Sequence, residues 1–327
     1  MKNSIIYYSV GALLYCPANN GSIVDSIVNE RFGKQFSLAL CLEDTIKDNL
    51  VHEAEAQLVL SLKLLKAKTL EQSFYIPKLF IRVREAAQMK NLIHALGDSQ
   101  SIVTGFILPK FSLENANLYL SEIRSINSGI QKFYIMPILE SPTMIDLQSR
   151  YYILSALKQY LDSVSEWVLN VRVGGNDLCN VFGFRRHVNE TIYDLKPIAA
   201  ILTDIITTFG RDYVISGPVW EYYNGNFWEM GLCHEIERDI QAGFTGKTVI
   251  HPNQISIVNQ AFKVEQADYD DAVSVLNWNP DSTNLVSGNF TNERMNEHKT
   301  HCCWAQRILY MAKIYGIKTS TPLISNY

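Results

Sequence analysis

The stretch Phe133-Tyr134-Ile135-Met136-Pro137-Ile138-Leu139-Glu140 is an apolar run of strand character that ends on a carboxylate. One βα repeat later, Trp167-Val168-Leu169-Asn170-Val171-Arg172-Val173 does the same and opens into Gly174-Gly175-Asn176-Asp177. In a parallel α/β barrel the loops at the strand C-termini gather on one face, so acids at the ends of two successive strands converge there. Two hard oxygen ligands suit Mg²⁺. The pair therefore predicts a (β/α)₈ barrel with Glu140 and Asp177 as its metal ligands.

Working outward, six more runs read as strands: Ala12 to Cys16, Phe36 to Leu42, Lys78 to Val83, Gly105 to Pro109, Tyr213 to Ser216, and Thr248 to Ile250. Helical segments separate them. From Asn49 to Ala67, for example, Val51, Ala54, Leu58, Leu62 and Leu65 recur at three- and four-residue steps along one stripe. Eight strands favour a closed barrel over a doubly wound sheet of about five or six, and no Gly-x-Gly-x-x-Gly follows the first strand. Within the 327 residues, 1–262 are assigned to the barrel and 263–327 to a C-terminal helical extension with a lid loop.

In that extension a helix is expected near Asp268 to Leu276 and another near Thr300 to Tyr315. Between them, Asn277 to Asn292 is rich in turn-forming residues and leads into Arg294 to His301. Glu297, His298 and His301 are the acid–base groups such a lid would bring over the mouth of its own barrel or of a neighbouring subunit's. The competing reading is a solvated linker before an amphipathic helix. Within Tyr222 to Trp228, the Asn224-Gly225 pair between aromatic residues reads as a hairpin.

Hydrophobic residues make up 47% of the chain and charged residues 19%, with a net charge of −4, which fits an ordinary globular protein. Without a basic run, neither nucleic acid nor an anionic membrane surface is an expected partner. No apolar window approaches the ~20 residues of a membrane helix. The start, Met1-Lys2-Asn3-Ser4, shows no leader pattern, and the six cysteines form no C-x-x-C pair. The expectation is a cytoplasmic protein with reduced thiols.

Five motifs, taken in order, resemble the citrate lyase β-subunit and HpcH/HpaI aldolase family. They are Leu14-Tyr15-Cys16-Pro17-Ala18-Asn19-Asn20, Cys41-Leu42-Glu43-Asp44, Ile81-Arg82-Val83-Arg84, Leu108-Pro109-Lys110, and Gly243-Phe244-Thr245-Gly246-Lys247-Thr248-Val249-Ile250-His251-Pro252-Asn253-Gln254-Ile255. The resemblance implies a Mg²⁺-dependent carbon–carbon lyase on a TIM barrel, a homotrimer or hexamer. It would act on small 3-hydroxy carboxylic acids or their acyl-CoA thioesters. Glu140 and Asp177 inherit the metal, Glu43 and Asp44 stand behind it, and Arg82 meets the substrate and the transition state. The catalytic set implied is Arg82, Asp44 and Glu297, with Arg82, Arg172, Pro17 and Asn19 against the substrate. Lys247 and His251 read as organisers of the turn after the eighth strand.

There are departures from the family pattern. Gly11 stands in the region where citrate lyase-type enzymes carry an arginine, and Cys41 replaces the first aspartate of Asp-Leu-Glu-Asp. Arg172 is unusual for the sixth strand: it either restores the missing positive charge or pairs with a buried carboxylate. Arg84, where the family has asparagine, reads a second anionic group or forms a surface salt bridge. The lid and the Gly-Ala-Leu-Leu-Tyr start resemble a divergent subgroup found among bacterial tellurium-resistance-type stress gene clusters. The alternative to a lyase is a catalytically altered barrel that binds a metabolite or acts as a scaffold.

Overall fold

The structure, a computed structural model, describes residues 2–279 and 283–318. Its eight barrel strands fall where the apolar runs place them: β1 Ala12–Pro17, β2 Ser37–Cys41, β3 Lys78–Arg82, β4 Val103–Leu108, β5 Tyr134–Leu139, β6 Val171–Val173, β7 Ile215–Ser216 and β8 Lys247–Val249. All neighbouring pairs are parallel, in the order β7-β6-β5-β4-β3-β2-β1-β8. A parallel bridge between Gly217 and Lys247 joins the two remaining edges. The sheet is thus a closed barrel. β6 is shorter than its apolar run because only Val168 of the preceding residues bridges to β5, at Ile135.

Helices α1 Ile23–Val28, α2 Val51–Glu71, α3 Ala86–Leu96, α4 Ala116–Ile126, α5 Leu147–Asp162, α6 Gly175–Val181, α7 Lys196–Phe209, α8 Trp228–Ala242 and α9 Asn253–Ala261 surround it. The stripe on α2 is the buried one, with Ala54, Leu58, Leu62 and Leu65 against the strands. Each such leucine contributes about 1.5–3 kcal/mol of hydrophobic burial. The alternation of side chains along a strand sends the other set inward. Leu13, Ala39, Phe80, Ile107, Met136 and Leu169 fill the barrel axis below the mouth.

α8 is held to β8 by charge as well as by packing. Glu235 and Asp239, one turn apart, both receive Lys247 Nζ, at 2.9 and 2.6 Å, with all three side chains fully buried. Arg186 pairs with the other oxygen of Glu235, and Tyr193 Oη donates to Asp239 at 2.6 Å. Lys247 was expected to hold the turn after β8; it ties β8 to α8 instead. That turn belongs to Gln254, whose Oε1 accepts from Ile250 and His251 while its Nε2 donates to the carbonyls of Trp220 and Tyr222. The hairpin expected at Asn224-Gly225 does not form. Gln254 already occupies the Trp220 and Tyr222 carbonyls, and left-handed Gly225 (φ +89°) and Phe227 (φ +66°) turn the chain straight into α8.

Beyond the barrel come α10 Gln266–Leu276, a small antiparallel hairpin of β9 Val286–Gly288 and β10 Met295–Glu297, and α11 His298–Tyr315. Among the described residues this extension forms no lid over the mouth of its own barrel. α11 lies across the N-terminal end of the barrel, away from the mouth: Arg307 donates to the carbonyls of Gly243 and Phe244, which precede β8, and Gln35, which precedes β2, donates to Ile314. Tyr315 stacks on Phe262. Residues 280–282 of the expected loop lie outside the described residues.

Candidate active site

At the C-terminal mouth is a cavity of about 230 Å³, lined among others by Tyr15, Asp44, Arg82, Glu140, Arg172, Asp177 and Thr248. Glu140, the first residue after β5, is 3% exposed. Its Oε1 accepts from the backbone N–H of Lys110 at 2.8 Å and faces Arg82 Nη2 at 3.5 Å. Its Oε2 accepts no hydrogen bond among the described residues. Burial pushes the Glu140 carboxyl up to about 8; Arg82 opposes the rise and the charge of Asp177 adds to it. Asp177 reaches the same cavity from the first turn of α6.

The Gly174-Gly175 pair makes this approach possible. A Cβ on Gly174 would stand 2.0 Å from Glu140 Oε2, and one on Gly175 would stand 2.5 Å from Ile192 Cδ1. Only glycine lets the β6–α6 turn pass so close to the buried acid.

Arg82, at the end of β3 and 5% exposed, sends Nη2 to Glu43 Oε2 and Asp44 Oδ2, both at 2.8 Å. Its Nε has no hydrogen-bond partner. Lys110 is a member that the sequence motif contained without its role being read. Its ammonium group meets Glu43 at 2.6 Å and Asp44 at 3.3 Å while its own N–H holds Glu140. Its place two residues after β4, behind Pro109, was the available signal. Burial alone would raise the pKa of Asp44, but its hydrogen bond with Glu43 and the charges of Arg82 and Lys110 prevail and hold it below the usual carboxylate range. Tyr15, also unread as a site residue, lies inward on β1 with the Arg82 guanidinium 5.6 Å from its ring centroid.

The structure brings Glu43, Asp44, Arg82, Glu140, Arg172 and Asp177 together and leaves three candidates out. Pro17, the last residue of β1, and Asn19 just beyond it are exposed on the rim and are not in the cavity wall. Glu297 is held at the start of α11, where its backbone N–H donates to His301 Nδ1 and His298 Nδ1 lies 2.9 Å from the Val275 carbonyl. His298 thus ties α11 to α10, and His301 caps the start of α11; neither closes over the mouth of this chain. Glu297→Ala is therefore expected to leave ligand binding in the cavity unchanged, and calorimetry checks it. Gly11 precedes β1 at the opposite end of the barrel, facing Tyr315, so its departure from the family pattern does not touch the mouth. Arg84 donates to the carbonyls of Leu42 and Ile46 and pairs with Asp48, bracing the loop after β2.

Residues 4–317 match the family model described as C-C bond lyase of the TIM-barrel fold. No curated protein sequence matches the chain. Among solved structures, the CitE protein of Mycobacterium tuberculosis, in complex with magnesium, acetoacetate and coenzyme A, superposes with a TM-score of 0.60 at 15% identity, over 94% of this chain and 99% of its own. The citrate lyase β subunit of the same organism, with oxaloacetate and magnesium, gives 0.53 at 15% identity, over 79% and 99%. RipC from Yersinia pestis gives 0.54 at 18% identity, over 80% and 99%.

Proposed function

The chain belongs to the C-C bond lyases of the TIM-barrel fold, and from that premise we propose that it is a Mg²⁺-dependent lyase cleaving a small 3-hydroxy acid or its acyl-CoA thioester by a retro-aldol or retro-Claisen reaction. The observation that carries this reading is the Glu140 carboxylate: buried, with one oxygen fixed and the other free, in the same cavity as a second acid. Two acids so placed repel until a cation lies between them. Mg²⁺ takes few protein carboxylates and keeps several waters. Glu140 and Asp177 would hold the ion. When bound, it supplies positive charge to the keto-acid oxygens and to the enolate that cleavage releases.

The remaining steps belong to the side chains. Arg82, on the cavity wall, offers its guanidinium to the oxygen that gains charge, and Glu43 and Asp44 fix its orientation through Nη2. Asp44, on the cavity wall and not needed by the metal, takes the 3-hydroxyl proton as the carbon–carbon bond breaks and its electron pair moves into the enolate. Lys110 fixes all three acids, Glu43 and Asp44 through its ammonium group and Glu140 through its backbone N–H. Partners are thus small carboxylic acids or their thioesters. Enolisation is testable without the full substrate: in D₂O with Mg²⁺ the wild type should exchange the methyl protons of pyruvate, read by proton NMR. Asp177→Asn should slow that exchange about 100-fold or more. A wild type that catalyses no exchange favours the metabolite-binding or scaffold reading instead.

A further inference from the structure

Cleavage of a 3-hydroxy acid through an enolate needs two proton transfers. Asp44 receives the hydroxyl proton, and a second group must deliver a proton to the enolate carbon. Six ionisable side chains line the cavity: Tyr15, Asp44, Arg82, Glu140, Arg172 and Asp177. Glu140 and Asp177 are taken up by the cation, Asp44 has a proton to take rather than to give, and a guanidinium releases none near neutrality. Tyr15 is the donor that remains.

The alternation of β1 brings it there. Leu13 fills the barrel axis, and Tyr15, two residues on, points to the same inner side one layer nearer the mouth. It keeps part of its surface open while Leu14 and Cys16 on either side are buried. The Arg82 guanidinium lies 5.6 Å from its ring centroid, and its hydroxyl lies beside Arg172. A guanidinium carries donors only, so it can bond to the phenol oxygen but cannot accept from it. The phenol proton is left for a ligand.

Arg172 supplies the matching charge. Five cationic side chains are buried among the described residues, and four of them, Arg82, Arg150, Arg186 and Lys247, have carboxylate partners. Arg172 alone forms no ion pair among the described residues: its Nη2 donates to Thr248 Oγ1 at 2.5 Å and its Nη1 reaches Asn170 Oδ1 at 3.5 Å. The alternative that it pairs with a buried carboxylate is thereby set aside. A buried positive charge without a counter-charge is costly, and a phenolate formed at Tyr15 would be that counter-charge. Burial raises the pKa of Tyr15, while the charges of Arg82 and Arg172 act in the opposite direction. Tyr15 therefore keeps its proton at rest, and the anion left after transfer finds a cation already in place.

We propose that the Tyr15 hydroxyl is the acid that protonates the enolate carbon, with Arg172 as the counter-charge of the phenolate. The O–H electron pair stays on the phenol oxygen, the double-bond pair of the enolate forms the new C–H bond, and the enolate oxygen returns to a carbonyl. Water then restores the proton of Tyr15 and removes the one held by Asp44, so protons balance over the cycle. The proposal rests on the lyase reading and adds its second proton carrier. A cavity of about 230 Å³ puts the phenol within reach of a ligand held by Glu140 and Asp177.

By microscopic reversibility the Tyr15 phenolate takes a methyl proton from bound pyruvate, so exchange in D₂O with Mg²⁺ reads this step. Tyr15→Phe keeps the ring beside Arg82 and removes only the hydroxyl. It should weaken pyruvate binding, measured by calorimetry, no more than about tenfold, the worth of one hydrogen bond. At saturating pyruvate it should slow methyl exchange, read by proton NMR, about 100-fold or more. Exchange at the wild-type rate in Tyr15→Phe assigns the carbon proton to another group and overturns the proposal while the lyase reading stands. A loss that disappears at saturating pyruvate overturns it too, because the hydroxyl then serves binding alone. A wild type that binds pyruvate but exchanges no methyl proton overturns both.

Discussion

Lys247→Met should lower folding stability by about 3–5 kcal/mol, because it leaves two buried acids without their shared cation. Glu235 and Asp239 are both 0% exposed, and Lys247 donates to each. Methionine keeps the bulk of the side chain and loses only the charge, so the effect reports electrostatics rather than a cavity. Arg186 still serves Glu235, which makes Asp239 the group most exposed to the loss. Adding Asp239→Asn to Lys247→Met should therefore recover part of the stability. Guanidinium unfolding measures both variants; a Lys247→Met midpoint equal to wild type would show that the network is not what fastens α8 to β8. The same network reaches the active site, since Arg186 also donates to Asn176 Oδ1 at 3.3 Å and to the Val219 carbonyl at 2.8 Å, both in the cavity wall.

Gly174→Ala should weaken Mg²⁺-dependent keto-acid binding about 100-fold while costing only about 1–3 kcal/mol of stability. The glycine has an ordinary negative φ of −91°, so alanine is not strained by backbone conformation. The obstacle is Glu140: the added methyl group would sit 2.0 Å from Oε2 and 2.4 Å from the Glu140 Cβ. Relief comes from moving the Glu140 carboxylate, with Oε1 still drawn to the Lys110 N–H, or from shifting the α6 turn that carries Asp177. Either movement separates the two acids. Titration beside a denaturation curve distinguishes this from general unfolding, and an unchanged affinity would place the ligand-binding acids elsewhere.

The barrel was legible because each strand is a short apolar run that ends in polar or turn residues, as Leu139-Glu140-Ser141-Pro142 does. The family was legible because five motifs occur in order, and the match over residues 4–317 bears this out. Glu140, Asp177, Arg82, Glu43 and Asp44 could be placed at one face because each follows or closes a strand. What escaped the sequence were the contacts between elements. Lys247 is adjacent to the mouth in sequence, but the alternation of side chains turns it outward to α8. Lys110 ends a recognisable motif, but its role needs Glu43, Asp44 and Glu140 from two other strands. Glu297 and its neighbours had the residue types of a lid, while the docking of α11 under the barrel depends on Arg307 finding carbonyls some sixty positions away, a distance no local pattern encodes.

The most direct test of the site is isothermal titration of a 2-keto acid, with and without Mg²⁺, into the wild type and into Glu140→Ala and Asp177→Ala. Binding is expected to require Mg²⁺ and to be lost in both variants while their unfolding curves stay cooperative. Keto-acid binding that persists without Mg²⁺, or that survives loss of either carboxylate, would contradict it.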